Sequence, residues 1–294
     1  MEKKENEMSI EETKKVEDHP FGAKEKADRE LTLMLVSDLH VATDKLEKLK
    51  NWYVEKNKER INYVIGLGDF DNLDNNDPET QKELPSKLES NISNELLYLE
   101  FFSVPILYIP GNHDAPSLFT ERPTLTQHST NIHGRAFKLA EGLQIVGFGG
   151  SLPGYIGEKQ HWRGWPFKSD EELAANFKEI AQGYLNSATQ TILATHVGPW
   201  SSSTTKDYFQ DYPDLIESGS KFLDEVVMKE ENNILANIHG HTHEGTGRAT
   251  LRRREVINPG SLSQGDFAIL RLNKDSWTQK WAVKSLELIC LDAM

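Results

Sequence analysis

Beyond residue 30 the chain alternates between short apolar runs and longer amphipathic stretches. LTLMLV (31–36), INYVIGLGD (61–69) and VPILYIP (104–110) are apolar at almost every position, the pattern of strands covered on both faces. Between the first two, TDKLEKLKNWYVEKNKER (43–60) repeats apolar residues at helical spacing, with Leu46, Leu49, Trp52 and Tyr53 on one side. Residues 71–84 are polar and acidic, and Pro85 precedes a second helix running through NELLYLEFF (94–102). Strand, helix, strand, helix, strand predicts a largely parallel sheet with covering helices.

The second half is patterned differently. LQIVGFGG (143–150), TILATHVG (191–198), ILANIHG (234–240), REVINPGS (254–261) and FAILRLN (267–273) are short strands separated by glycine-rich turns. Helices are expected near 170–186 and 214–230, the first opened by a capping box of Ser169 and Glu172. No internal repeat or low-complexity linker interrupts residues 31–294, so one α/β domain with two sheets is the economical reading. Residues 1–30 are dense in Lys and Glu and nearly free of apolar periodicity, as expected of a disordered arm or a docking segment for a protein partner.

Composition narrows the function classes. At 294 residues, 37% hydrophobic and 27% charged, the chain has ample material for a core. A formal charge of −13 opposes a binder of long nucleic acid or of anionic membrane, both of which need positive surface. No apolar run reaches the length of a membrane span, and the opening residues lack a signal-peptide core. The single cysteine, Cys290, excludes an intramolecular disulfide and suits a reducing, cytoplasmic setting.

The chemistry gathers at strand ends. Asp38 and His40 end the first strand, Asp69 the second, Asn112 and His113 the third, His196 a fourth, and His241 and His243 a fifth. In open α/β sheets, ligands sit at the carboxyl ends of strands. Two carboxylates, one carboxamide and four imidazoles suit two hard or borderline divalent metals, and the absence of thiolates opposes a structural zinc site. NIHGHTHEGTG (237–247) alternates three of the ten histidines, with Gly240 allowing a turn or close approach.

DLH (38–40), GD (68–69), GNHD (111–114), TH (195–196) and GHTH (240–243) stand in the order of the calcineurin-like metallophosphoesterase superfamily, which the chain resembles over residues 32–273. VINPGSLSQGDFAILRL, soon after GHTH, is similar to the ending of its small single-domain bacterial and archaeal phosphodiesterases. The resemblance implies a four-layer α/β/β/α sandwich of two mixed sheets with a binuclear site at its edge. It assigns Asp38, His40 and His243 to one metal, Asn112, His196 and His241 to the other, and Asp69 to both. His113 would stand beside the phosphate as the catalytic acid without binding metal. Two ions about 3.5–4 Å apart would hold a bridging hydroxide and clamp the phosphoryl oxygens. Manganese, iron or zinc would serve.

One position departs from the family pattern. GDFDN places Asn72 where a second aspartate of GDxxD stands, which predicts a weaker acid-base role for His113 unless Asp71 or Asp74 substitutes. Asp114 is expected to fix a ligand imidazole through its other nitrogen. His239 reads as a satisfied histidine at a strand end, and His128 and His133 as surface residues. GYIGEKQHWRGWPF (154–167) clusters His161, Trp162, Arg163, Trp165 and Phe167. It is either a recognition surface for a base and a phosphate or a satellite core beneath a loop, and the packed reading is preferred. LRRRE (251–255) reads as a solvated hairpin strand near the site. The expected function is hydrolysis of phosphodiesters or phosphomonoesters of small molecules. The alternative is an interaction protein on the same fold, with slight turnover and docked through its N-terminal arm.

Overall fold

The computed structural model describes residues 29–57, 59–73, 85–156, 158–162, 164–207 and 216–293. Residues 1–28 of the expected arm, together with Arg163 and Asp74, lie outside the described residues; Glu30 already belongs to the first strand. The first half runs β1 (Glu30–Val36), α1 (Thr43–Glu55), β2 (Tyr63–Gly66), α2 (Pro85–Leu99), β3 (Ile106–Tyr108), α3 (Ser117–Thr120), β4 (Ser129–Asn131), β5 (Arg135–Ala140) and β6 (Leu143–Phe148). It continues through β7 (Gly154–Ile156), β8 (Lys159–Trp162), α4 (Asp170–Ile180), β9 (Gln190–Thr195), β10 (Lys206–Asp207), β11 (Ile216–Glu217) and α5 (Lys221–Met228). The remainder is β12 (Ile234–Ile238), β13 (Gly247–Leu251), β14 (Arg254–Asn258), β15 (Asp266–Lys274) and β16 (Trp281–Cys290).

Two six-stranded mixed sheets result, ordered β16-β15-β1-β2-β3-β4 and β13-β14-β12-β9-β6-β5. Side-chain alternation shows how they stack. Leu31, Leu33 and Leu35 of β1 enter a core shared with Ile145, Ile192 and Ile257 of the other sheet. Met34 and Val36 of the same strand point to the opposite face, where they meet Leu46 and Leu49 of α1 and Ile92 and Leu96 of α2. On the outer face of the second sheet, Val146 and Leu193 pack against Leu173 and Phe177 of α4 and Leu223 of α5. These three cores separate four layers, the α/β/β/α sandwich that the family resemblance implies. They also explain why β1 reads as a continuous apolar run, since both of its faces are covered.

Several element limits differ from expectation. Helix α1 stops at Glu55, short of residue 60: Val54 is exposed, residues 56–60 offer no apolar side chain to bury, and the Asn57 side-chain amide instead bonds the Glu59 carbonyl. Helix α2 gives way to a 3-10 turn at Glu100–Phe102, closed by Ser103 at φ 53°. The helix expected from 214 begins only at Lys221: Ile216–Glu217 pairs with Lys206–Asp207, and the Ser220 hydroxyl caps α5 by accepting from Leu223 N at 3.1 Å. Ser169 caps α4 as expected, accepting from Glu172 N at 3.3 Å. In LRRRE, Arg252 and Arg253 form the tip of the β13–β14 hairpin, both at positive φ. That tip is at the far end of the hairpin from His243, not on the site side.

Candidate metal centre

The strands β1, β2 and β3 run parallel in one sheet, and β6, β9, β12 and β14 run parallel in the other. Their carboxyl ends emerge at one edge of the sandwich, so loops distant in sequence meet there. Backbone bonds lace them together: Asp38 N to Gly68 O at 2.9 Å, His40 N to Asp69 O at 3.0 Å, and Gly240 N to His196 O at 3.0 Å. Gly240 meets the close approach foreseen for it, since a Cβ there would overlap the Ser37 hydroxyl and lie 2.7 Å from Asp38 Oδ2.

The expected ligand residues come together in two groups. Asp38, His40 and His243 place one ligand atom each within 4.8 Å of one another, as do Asp69, His196 and His241. In the first, His243 Nε2 is 3.3 Å from His40 Nε2 and 3.3 Å from Asp38 Oδ1. In the second, His196 Nε2 is 3.2 Å from Asp69 Oδ2 and 3.1 Å from Asn112 Oδ1. Asp38, Asp69, Asn112 and His196 are buried. Four of these seven residues hold the left-handed backbone region: Asp38 at φ 52°, His40 at 50°, Asp69 at 54° and His241 at 67°. Each such placement costs on the order of 1–3 kcal/mol for a non-glycine residue and clusters where function holds the chain in place.

Electrostatics ties the groups together. Burial would raise the Asp69 carboxyl, but the imidazoles of His196, His113 and His40 hold it well below the ordinary carboxylate range. Asp69 thus feels histidines of both groups. Burial likewise opposes ionisation of Asp38, yet the neighbouring His243 imidazole brings it to about 2. Burial lowers His196, but the Asp69 and Asp38 charges raise it to about 9. His241 goes the other way, lowered to about 3 by burial and by His196. It is a neutral imidazole with a free lone pair. Both Asp38 Oδ1 and His241 Nε2 are buried without a hydrogen-bond partner. Buried polar atoms in native folds are nearly always satisfied, so these two point to a ligand from outside the chain. Oxygen and imidazole donors without thiolate fit divalent cations.

The supporting residues depart from expectation in three places. Among the described residues Asp114 hydrogen-bonds no imidazole; its carboxylate accepts from the amides of Asp69, Phe70, Asp71 and Gly111 at 2.8–2.9 Å, pinning the two candidate ligand loops to each other. The Asn72 amide donates to His40 O at 2.7 Å and so braces the first loop. His113 is oriented instead by the Leu73 carbonyl, 2.7 Å from its Nδ1, and Asp71 bonds Asn91 and the Asn72 amide. His133 is buried, not at the surface: its Nδ1 accepts from Gly149 N at 2.9 Å, and burial, with Arg122 nearby, lowers it to about 3. His128 is half-buried. His239 is the satisfied strand-end histidine expected, bonded to Thr204 Oγ1 at 2.7 Å and Gly240 O at 3.0 Å.

The loop at 154–167 divides between its two readings. Phe167 is core, stacked on Phe148 with centroids 5.5 Å apart. Trp162 and His161 instead line the cavity at the two candidate ligand groups, where Asp207, Ser218, Glu244 and Gln264 join them. The sequence reading missed these last four, which carry no motif, and also Glu95 beneath the site. Glu95 did leave a signal, as a charged residue three positions after Ile92 on the apolar stripe of α2.

A two-sheet sandwich whose strand ends deliver carboxylates and imidazoles to one pocket is a scaffold able to hold divalent cations. The model of the calcineurin-like phosphoesterase family matches residues 31–245, and the chain belongs to that family. Its activity is accordingly metal-dependent hydrolysis of a phosphoester. The fold is similar to that of a dimetal phosphatase from Danio rerio, with 16% identity over 90% of this chain and 100% of the other, at a TM-score of 0.55. It is also similar to the protein TT1561 of Thermus thermophilus, with 17% identity over 89% of this chain and 99% of the other, at a TM-score of 0.51. Among curated proteins no relative matches.

Proposed function

We propose that the chain hydrolyses phosphodiester or phosphomonoester bonds of small molecules with two divalent cations. Asp38, His40 and His243 would hold one, Asn112, His196 and His241 the other, and Asp69 both. The observation that carries this reading is the pair of ligand groups at one cavity, each containing a buried atom, Asp38 Oδ1 or His241 Nε2, without a hydrogen-bond partner. Bound there, the cations supply an activated water and positive charge for the phosphoryl oxygens. Manganese, iron and zinc all suit the donors.

The chain's own residues do the rest. His196 Nδ1 donates to Leu67 O at 2.7 Å, which fixes the ring and turns Nε2 toward Asp69 and Asn112. His113 is held in the same way by Leu73, so its Nε2 is the nitrogen left for the substrate. There it protonates the departing alkoxide or steadies its developing charge. The His113 amide donates to Asp69 Oδ1 at 2.7 Å, linking the acid's loop to the shared carboxylate. None of the described helices is long and apolar enough to cross a membrane; with its single cysteine, the chain suits a cytoplasmic setting.

The test is elemental analysis after manganese loading, together with hydrolysis of 4-nitrophenyl phosphate and bis(4-nitrophenyl) phosphate. Two ions per chain and turnover of at least one ester are expected. Fewer than two ions, or no turnover of either ester by loaded protein, overturns the proposal.

A further inference from the structure

Arg122 is a half-buried residue whose guanidinium has no counter-charge. It follows α3 with its backbone in the left-handed region, at φ 52°, and its amide donates to Ser117 O at 2.9 Å. Its Nε is buried and has no hydrogen-bond partner. Burial first, then the repelling charge of Arg135, hold the group below the ordinary guanidinium range, and Tyr184 is the other side chain whose charge reaches it. Arg135 itself is exposed at the start of β5. Among the described residues neither arginine is paired with a carboxylate. In a chain with 46 acidic residues and a formal charge of −13, two arginines within reach of each other have been left without an acid.

The pair stands on a braced corner of the fold. Asn131 Nδ2 donates to Leu118 O at 2.8 Å and so ties β4 to α3. Phe119 and His133 meet edge-on with centroids 5.1 Å apart, and the Arg122 charge reaches that buried imidazole. Helix α4 packs against the turn between β4 and β5, where a Cβ on Gly134 would lie 2.8 Å from Ile180 Cδ1. Past α4, Tyr184 O accepts from Gln144 Nε2 at 2.8 Å, which holds that segment to β6, the neighbour of β5. None of Arg122, Arg135 and Tyr184 lines the cavity at the candidate ligand groups. Keeping a guanidinium partly out of water is costly unless a counter-ion meets it, and a buried donor without a partner calls for a water or an ion. Water would satisfy Nε but leave two like charges facing each other; an anion answers both. A phosphate group brings close to two negative charges at neutral pH and several acceptor oxygens, a match for two guanidinia. We propose that Arg122 and Arg135 form an oxyanion site, outside the catalytic cavity, for a phosphate group, either the free ion or one borne by a second molecule.

The test is thermal unfolding of the full chain in metal-free buffer, where no cation offers phosphate another hold and no ester is turned over. Inorganic phosphate should raise Tm saturably, beyond the effect of chloride at equal ionic strength. Arg122→Gln and Arg135→Gln should each weaken the apparent Kd by about 10-fold or more, the scale of a charge-assisted hydrogen bond. Arg135 is exposed, so Arg135→Gln carries the test alone if Arg122→Gln does not fold. Without phosphate, Arg135→Gln should not lower Tm, because no carboxylate loses a partner; a fall would mean that Arg135 serves a structural ion pair, and the proposal would fail. Phenyl phosphate distinguishes the sources. If it acts at least as strongly as inorganic phosphate, the site takes a phosphate borne by a larger molecule; if only the inorganic ion acts, the ligand is free phosphate, and either result upholds the oxyanion site. A Tm that responds to phosphate no more than to chloride overturns the proposal, and so does an equal phosphate response in wild type and Arg135→Gln.

Discussion

Glu95→Gln tests the electrostatics beneath the site. Glu95 is 2% exposed on the core side of α2, and neither of its carboxyl oxygens has a hydrogen-bond partner. Burial first, then the negative charges of Asp114 and Asp71, raise it from 4.5 to about 9. In the unfolded chain the same group ionises near 4.5, so folding at neutral pH requires taking up a proton. For a carboxyl raised in the folded state, stability is complete below the unfolded value and declines as pH rises toward the folded one. The slope is about 1.4 kcal/mol per pH unit, so from pH 5 to pH 7 the wild type should lose about 3 kcal/mol through this residue alone. Glutamine keeps the shape and never ionises. Urea unfolding of both proteins in metal-free buffer should show the variant gaining on the wild type by that amount across the two units. Other titrating groups occur in both proteins and largely cancel in the difference. A pH-independent offset added to that divergence reports only how the amide packs. Parallel curves from pH 5 to pH 8 would refute the reasoning, since they would mean that Glu95 ionises as freely folded as unfolded.

Asp69→Asn should abolish turnover and lower metal occupancy together, because its carboxylate is the ligand proposed to serve both ions; near wild-type activity in a manganese-supplemented assay would remove it from that role. His113→Ala should leave occupancy at two ions while slowing alkyl phosphoesters by on the order of 10²–10⁴-fold, and nitrophenyl esters far less, since nitrophenolate needs little protonation. Loss of metal in that variant would make His113 a ligand, and an unchanged rate on alkyl esters would make it a bystander. Asp114→Ala strips the acceptor from four buried amides, so urea denaturation should show a loss of at least about 4 kcal/mol, at roughly 1–3 kcal/mol per orphaned group. A loss below about 1 kcal/mol would mean that water replaces the carboxylate.

Much of the architecture is written locally. The apolar runs of β1, β2 and β3 announce strands covered on both faces, because a residue's tendency to be buried acts where it stands in the sequence. The seven candidate ligand positions stood out for a related reason: each follows on such a run, and a polar residue at a strand's carboxyl end stands where parallel sheets present their loops. Ser169 and Glu172 marked a helix start within four residues of chain.

What local pattern cannot carry is which loops meet, and at what distance. Asp38 and His243 are joined only because two sheets stack with their strand ends on one edge, a result of side-chain packing between residues far apart in sequence. The same stacking decides that Asp114 spends its carboxylate on amides, that Asn72 braces His40 rather than His113, and that His133 is buried. It brings Trp162, Asp207 and Glu244, which share no motif, to one cavity. It also forces Asp38, His40, Asp69 and His241 into a backbone region that none of them prefers alone. Sequence specified the donors, since side-chain chemistry is carried by each residue. Tertiary structure decided their charge states and convergence, because desolvation and proximity exist only once distant segments are packed together.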